Sequence, residues 1–209
     1  FNARTVENDI AILSNKFDVK LYEVNTTKGA SFFTSLIKQF FFHLFAARRY
    51  KIFFIWFADY HSLLPVFFAK LYGIKCIINI GGYDADEILT GTPKSLKEKF
   101  RKFCVTYSVK NAGLLLPVSD VIKLYLETAV PKEKCETIYC CVDTDKFPPP
   151  ESIPQKQNII VTVGGGGAFI KEAKRKRLDF FMELGNEFNK RYPDLNAKFY
   201  AIGHNKSTE

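Results

Sequence analysis

Residues 51–57, Lys-Ile-Phe-Phe-Ile-Trp-Phe, constrain the fold more than any other stretch, because six apolar side chains follow one another without a polar break. A strand with one face in water alternates apolar and polar residues, whereas an unbroken run of this length suits a central parallel strand covered by helices on both faces. The residues downstream fit that role. Ser62 can cap a helix running to Tyr72, Pro65 falls in its first turns where a missing N–H costs little, and Gly73 supplies the stop. The unit then recurs: a strand over 74–80, a basic amphipathic helix over 95–111, a strand over 113–118, a capped helix over 119–129 and a short strand over 135–140. Strands alternating with helices of this length imply an α/β fold with a Rossmann-like parallel sheet and right-handed crossovers.

Upstream, Val6, Ile10, Leu13 and Phe17 recur at helical spacing, and 19–24 reads as a strand. Residues 32–45 again have helical spacing, with Leu36, Ile37, Phe40, Phe41, Leu44 and Phe45 on an apolar arc expected to pack on the sheet, and Ser35, Lys38, Gln39 and His43 on the other side. Spanning a bilayer takes roughly 20 apolar residues, and Lys38 and His43 interrupt this segment. Downstream, the prolines at 148–150 and the polar stretch to Gln157 read as a linker. The expected organisation is a domain over 1–147, a linker over 148–157 and the beginning of a second Rossmann-like domain over 158–209. That last part holds a strand at 158–163, a helix at 178–191 and a strand at 197–202. One such βαβ unit of about 50 residues is too small to enclose its own core.

The formal charge of +8 favours anionic partners: nucleotide diphosphates, acidic lipid headgroups or nucleic acid. Nucleic acid has charge alone in its favour, with no recognition motif, and is not expected as a partner. Five cysteines are an odd number, and three lie in strongly apolar stretches, which points to reduced thiols and a cytoplasmic compartment. The chain opens on Phe1 without a charged leader and apolar run, so no signal peptide is expected. The adjacent Cys140 and Cys141 lack a second Cys or His pair at metal-ligand spacing, so no zinc site is expected.

Ligands of open parallel sheets bind beyond the carboxyl ends of the strands, where loops and helix N-termini converge. Three clusters occupy such positions. After the first long run come Asp59, Tyr60 and His61. His61 is placed to donate to a phosphate or assist proton transfer, or to cap the following helix. After the next strand, Gly81 and Gly82 permit a sharp turn, leaving Tyr83 to stack on a sugar ring and Asp84 to accept its hydroxyl protons, or to cap a helix, with Asp86 beyond. After 158–163, Gly164, Gly165, Gly166 and Gly167 expose successive amides suited to a pyrophosphate, and Lys174, Arg175, Lys176 and Arg177 add cations. Phe169 stands where a dinucleotide fingerprint wants its third glycine, and no Gly-Lys-Ser/Thr follows.

Several of these stretches, in this order, resemble the retaining GT-B glycosyltransferases of family 4. The residues concerned are Trp56-Phe-Ala-Asp-Tyr-His-Ser62, Gly81-Gly-Tyr-Asp84, Leu116-Pro-Val-Ser119, Ile138-Tyr-Cys-Cys-Val-Asp-Thr-Asp-Lys-Phe147, Val161-Thr-Val-Gly-Gly165 and Lys174-Arg-Lys-Arg-Leu-Asp179. The resemblance implies a GT-B fold and transfer of a hexose from a nucleotide-diphosphate sugar to a hydroxyl of a sugar, lipid or glycan acceptor, with retention. No further cofactor is needed, and the leaving phosphate helps deprotonate the acceptor. It implies Asp84 and His61 in the catalytic region, Asp59, Tyr83 and Asp86 beside the acceptor, and Gly164, Gly165, Gly166, Arg175 and Lys176 at the donor. Arg177 and Cys140-Cys141 depart from the family pattern. A first strand with its glycine-rich loop and a later Glu-x7-Glu segment lie outside the sequence, so weak donor binding and slow or absent turnover are expected of this chain. The alternative is a non-enzymatic anion-binding or membrane-surface α/β module. A peripheral position on the inner face of the membrane is also expected, with 32–45, Arg48, Arg49 and Lys51 meeting anionic lipid.

Overall fold

The computed structural model describes residues 3–24, 30–82, 84–85, 92–141, 144–146, 148, 152, 155, 157–163 and 177–202. The chain divides into two compact units, Phe1–Val142 and Asp143–Glu209.

In the first unit, α1 (Ala3–Ser14) and α2 (Ala30–Ala46) precede an α/β succession: β1 (Ile52–Trp56), α3 (Leu63–Tyr72), β2 (Lys75–Ile80), α4 (Leu96–Asn111), β3 (Leu114–Pro117) and α5 (Asp120–Leu126). The three strands form a parallel sheet in the order β1-β2-β3. This is the Rossmann-like α/β architecture that the alternating pattern requires. Its core gathers Ile55, Cys76, Ile78, Ile80 and Leu115 from the sheet with Val66, Ala69, Val105, Val109 and Leu126 from the helices.

The helix signals act locally as the sequence suggests. Gly73 closes α3 at a φ of 68°, a left-handed value that costs a glycine little. The Oγ atoms of Ser95 and Ser119 accept from the N–H groups of Glu98 and Ile122 and so cap α4 and α5. The cap before α3 is different. Asp59 and Ser62 form a reciprocal capping box around a 3-10 turn at Tyr60–Ser62, and the Ser62 side chain makes no cap bond to α3 itself.

Four expectations are corrected. Among the described residues, β1 lies at the end of the strand order and β2 holds the centre, because the run at 51–57 finds a ladder partner only in β2. Residues 19–24 form no strand, having no ladder partner among the described residues. The segment 135–140 runs beside β3 with a single isolated bridge, Cys135 to Leu115, extended by the bond from Ile138 N–H to the Pro117 carbonyl.

The fourth correction concerns α2, whose apolar arc faces away from the sheet. Gln39 and His43 are its buried side chains, while Phe33, Ile37, Phe41 and Phe45 are each more than half exposed. Two of the inward polar atoms find partners. Gln39 Nε2 donates to the His61 carbonyl at 2.8 Å, and His43 Nδ1 donates to the Gln39 carbonyl at 2.7 Å. Rings of Phe42, Phe53 and Phe68 surround the imidazole. Gln39 Oε1 has no partner among the described residues. No described helix is long and apolar enough to cross a membrane.

Among the described residues, the second unit contains one parallel pair, β4 (Ile159–Val163) and β5 (Lys198–Ile202), connected through α6 (Leu178–Arg191). Gly185 lets α6 approach β5, since a Cβ there would stand 3.0 Å from the Phe199 ring. Phe181 and Phe188 pack edge-on against the same ring. Ile159, Ile160, Val161 and Val163 are exposed.

Candidate functional site

The carboxyl ends of the three parallel strands lie level, with Trp56 beside Asn79 and Ile80 beside Pro117 in the ladder. The chain leaves β1 through Phe57, which adopts a left-handed φ of 66°, uncommon for a bulky residue. Its ring lies against Gly81, where a Cβ would come within 2.3 Å of the Phe57 Cε1 atom. Gly82 has a φ of 110°, a conformation that side-chain-bearing residues rarely adopt. It also faces Ile122 of α5, whose Cδ1 would lie 3.2 Å from a Cβ at that position. The loops after β1 and β2 and the start of α5 therefore meet at one place.

Asp84 ties the first two loops together. Its Oδ2 accepts from the Ala58 N–H at 3.0 Å and its Oδ1 from the Gly82 N–H at 2.9 Å. The residue is 2% exposed. Burial raises its carboxyl above the ordinary carboxylate value, while the amides of Ala58, Gly82, Asp84 and Ala85 pull the other way by favouring the charged form. A carboxylate so enclosed holds loops in register; a hydroxyl could reach it only if those loops parted.

Asp59 is likewise committed. Arg101 of α4 grips it with both arms of the guanidinium, Nε to Oδ1 at 2.9 Å and Nη2 to Oδ2 at 2.5 Å. Asp59 Oδ1 also accepts from the Tyr60 N–H at 2.8 Å. Ser62 Oγ donates to the Asp59 carbonyl at 2.7 Å and is hydrogen-bonded to Ser108 Oγ at 2.8 Å, both serines fully buried, which pins the turn to the last turn of α4. A two-pronged pair of this geometry fixes orientation as well as distance.

His61 occupies the same turn. Its Nε2 donates to the Trp56 carbonyl at 3.0 Å, so in the neutral ring Nδ1 is left as an acceptor. The side chain is half-buried and its carbonyl receives Gln39. Asp59, His61 and Asp84 thus stand at the tips of β1 and β2, on two loops that Asp84 joins. Tyr83, Asp86, Gly164, Gly165, Gly166, Arg175 and Lys176 lie outside the described residues.

Sequence reasoning did not single out Arg101, Ser108 or Gln39. Arg101 carried a weak signal, being the one arginine of a helix whose other cations are lysines. Only arginine offers the fork that a carboxylate can accept at two points. Ser108 and Gln39 carried none, since their partners come from distant segments. Among the described residues, no three His, Cys, Asp or Glu side chains converge to hold a metal ion.

No protein-family model matches the chain, and no curated protein matches it. Among solved structures, it is similar to the UDP-N-acetylglucosamine 2-epimerase from Rickettsia bellii, with a TM-score of 0.42 and 11% sequence identity over 99% of this chain and 53% of that one. The chain spans about half the length of that structure.

Proposed function

We propose that the chain is the acceptor-side domain and the start of the donor domain of a GT-B glycosyltransferase. It would transfer a hexose from a nucleotide-diphosphate sugar to an acceptor hydroxyl with retention of configuration. The observation that supports this most is the junction at the strand tips, where Asp84 fastens the loop beginning Gly81-Gly82 to the loop carrying Asp59 and His61. Transfer between two bound sugars depends on positioning, and loops held at 2.9 and 3.0 Å by a buried carboxylate are fixed where an acceptor would bind.

In this reading Asp84 is a positioning residue and His61 presents Nδ1 to an acceptor or phosphate. Tyr83 and Asp86 complete the acceptor side with Asp59. Gly164, Gly165 and Gly166 offer amides to the pyrophosphate, and Arg175 and Lys176 balance its charge. The leaving phosphate takes the acceptor proton, so no protein nucleophile is required.

Thermal shift of the full chain with UDP-, GDP- and ADP-sugars tests the reading. A ligand at about 100 times its Kd stabilises the native state by about 2.7 kcal/mol, so the correct donor, titrated to saturation to offset the weak binding expected of this chain, should raise Tm by several degrees. Lys176→Ala and Arg175→Ala should each reduce that rise. A rise that survives both substitutions, or no rise with any donor, would overturn the proposal.

A further inference from the structure

The outward face of α2 has no counterpart in a helix that merely packs on a sheet. Phe33, Ile37, Phe41 and Phe45 follow one another every fourth residue and are 66%, 56%, 51% and 73% exposed. Side chains at that spacing form one stripe along a helix. Phe40 and Leu44 widen it, and Arg48 and Arg49 stand exposed at its end.

The face continues across the molecule. Phe32 packs edge-on against Tyr60, and Tyr60 stacks on Phe100 of α4, with ring centroids 5.4 and 5.8 Å apart. Leu96, Phe100 and Phe103 extend the surface along α4, and Leu96 is 84% exposed. Between α2 and α4 lies an open groove of about 290 Å³, bounded by Leu36, Ile37, Phe40, Leu63, Leu64 and Phe100. An apolar surface of this continuity on a folded chain marks an interaction site.

The charge around it is one-sided. α2 with the turn that follows it (30–49) and α4 (96–111) hold eight Lys and Arg against one carboxylate, Glu98. That is a net +7 of the +8 that the whole chain carries. Asp59 is held by Arg101 and Glu98 accepts from the Lys94 N–H. A second copy of this chain would set one cationic face against another.

We propose that α2, the Tyr60–Ser62 turn and α4 form a docking face for an anionic phospholipid bilayer, with the groove seating an acyl chain. Exposed Phe and Leu side chains enter the headgroup boundary, and Lys38, Arg48, Arg49, Lys97 and Lys99 meet the lipid phosphates around it. Tyr60 and Leu63 place the groove beside the turn that carries Asp59 and His61, so a docked lipid would approach the strand tips. The inference stands independently of the transferase reading, because docking requires no donor.

Flotation with vesicles of equal phosphatidylcholine and phosphatidylglycerol tests it. The protein should float with these vesicles and stay behind with pure phosphatidylcholine. A cation near an anionic surface contributes about 1 kcal/mol, or about fivefold in binding. Arg48→Ala with Arg49→Ala should therefore weaken flotation about 25-fold, and Phe41→Ser with Phe45→Ser should weaken it at least as much. Should those variants fail to fold, photoactivatable phosphatidylglycerol on the unaltered protein gives the second readout, and its label should fall within 30–46 and 96–111. The proposal fails if the protein ignores acidic vesicles or if the label maps elsewhere. It fails equally if the face instead binds a single-stranded oligonucleotide, or mediates a concentration-dependent dimer that Phe41→Ser with Phe45→Ser abolishes.

Discussion

Replacing Asp84 probes the junction on which the site depends, and the structure sets the size of the effect. Asp84→Ala removes the acceptor of two backbone N–H groups. The Ala58 N–H is fully enclosed, and leaving it unpaired costs about 1–3 kcal/mol. The Gly82 N–H is only partly enclosed, so water can replace the carboxylate and the loss is about 0.5–1.5 kcal/mol. Together these come to about 2–4 kcal/mol out of a total stability of about 5–15 kcal/mol. At roughly 2–4 °C per kcal/mol for a chain of this size, Tm should fall by about 10 °C. An Asp84→Ala protein that melts with the wild type would refute the claim that this carboxylate joins the loops.

Asp84→Asn separates hydrogen bonding from charge, because it keeps the shape and one acceptor but cannot ionise. Burial makes the folded state bind a proton at Asp84 more readily than the unfolded chain does. Stability from this group is therefore fully present below its unfolded pKa of about 3.9 and is lost as pH rises through the raised folded value. Asp84→Asn lacks that loss. Urea denaturation of both proteins from the carboxylate range to neutrality should show the wild-type advantage narrowing as pH rises. An advantage that widens toward neutrality would mean that the four amides outweigh burial, and the argument from desolvation would fall.

Arg101→Ala should cost about 1.5–3 kcal/mol in chemical denaturation, since it strands a carboxylate whose side chain is 28% exposed. Arg101→Lys should restore only part of that, lacking the fork. Gly81→Ala should destabilise by about 1–3 kcal/mol through overpacking against Phe57, and Phe57→Gly in the same chain should recover much of it, a non-additivity read from the double-mutant cycle. His43 is held below its usual pKa by burial, so its contribution is present above about pH 6.5 and lost as pH falls. His43→Leu should therefore flatten the pH dependence of the urea midpoint between about pH 5 and 7. Cys140 and Cys141 are exposed, whereas burial pushes the Cys76 and Cys104 thiols up to about 12 and about 11. A thiol reagent should label the first two in the native protein and reach the others only after denaturation.

Much of the architecture was legible because the relevant signals are local. Ser95, Ser119 and Gly73 cap and stop helices through bonds to residues no more than four positions away, and the apolar runs at 75–80 and 114–117 pair side by side. Signals that depend on a distant partner were not legible. The stretch at 19–24 has strand-like composition but no ladder to join, and nothing in its own residues reports that. The position of Asp84 after a strand identified it as a residue of the strand tips. Its two amide donors come partly from 26 residues upstream, so its enclosure could not be read from its neighbours.

The inversion of α2 marks the limit of periodicity as an argument. A period of 3.6 groups residues onto a face, and hydrophobicity then assigns that face to the interior. The assignment presumes that the opposite face cannot be satisfied inside. Gln39 and His43 escape that presumption, because each finds a carbonyl at hydrogen-bond distance and the His43 ring packs among phenylalanines as another aromatic would. With Gln39 Nε2 and His43 Nδ1 accommodated inside, the aromatic arc is left facing outward. The large apolar side chains there are partly exposed and so give up part of the roughly 1.5–3 kcal/mol that full burial of each would contribute. That deficit is recovered only if a surface covers them, and the cations around the arc make an anionic surface the one that fits.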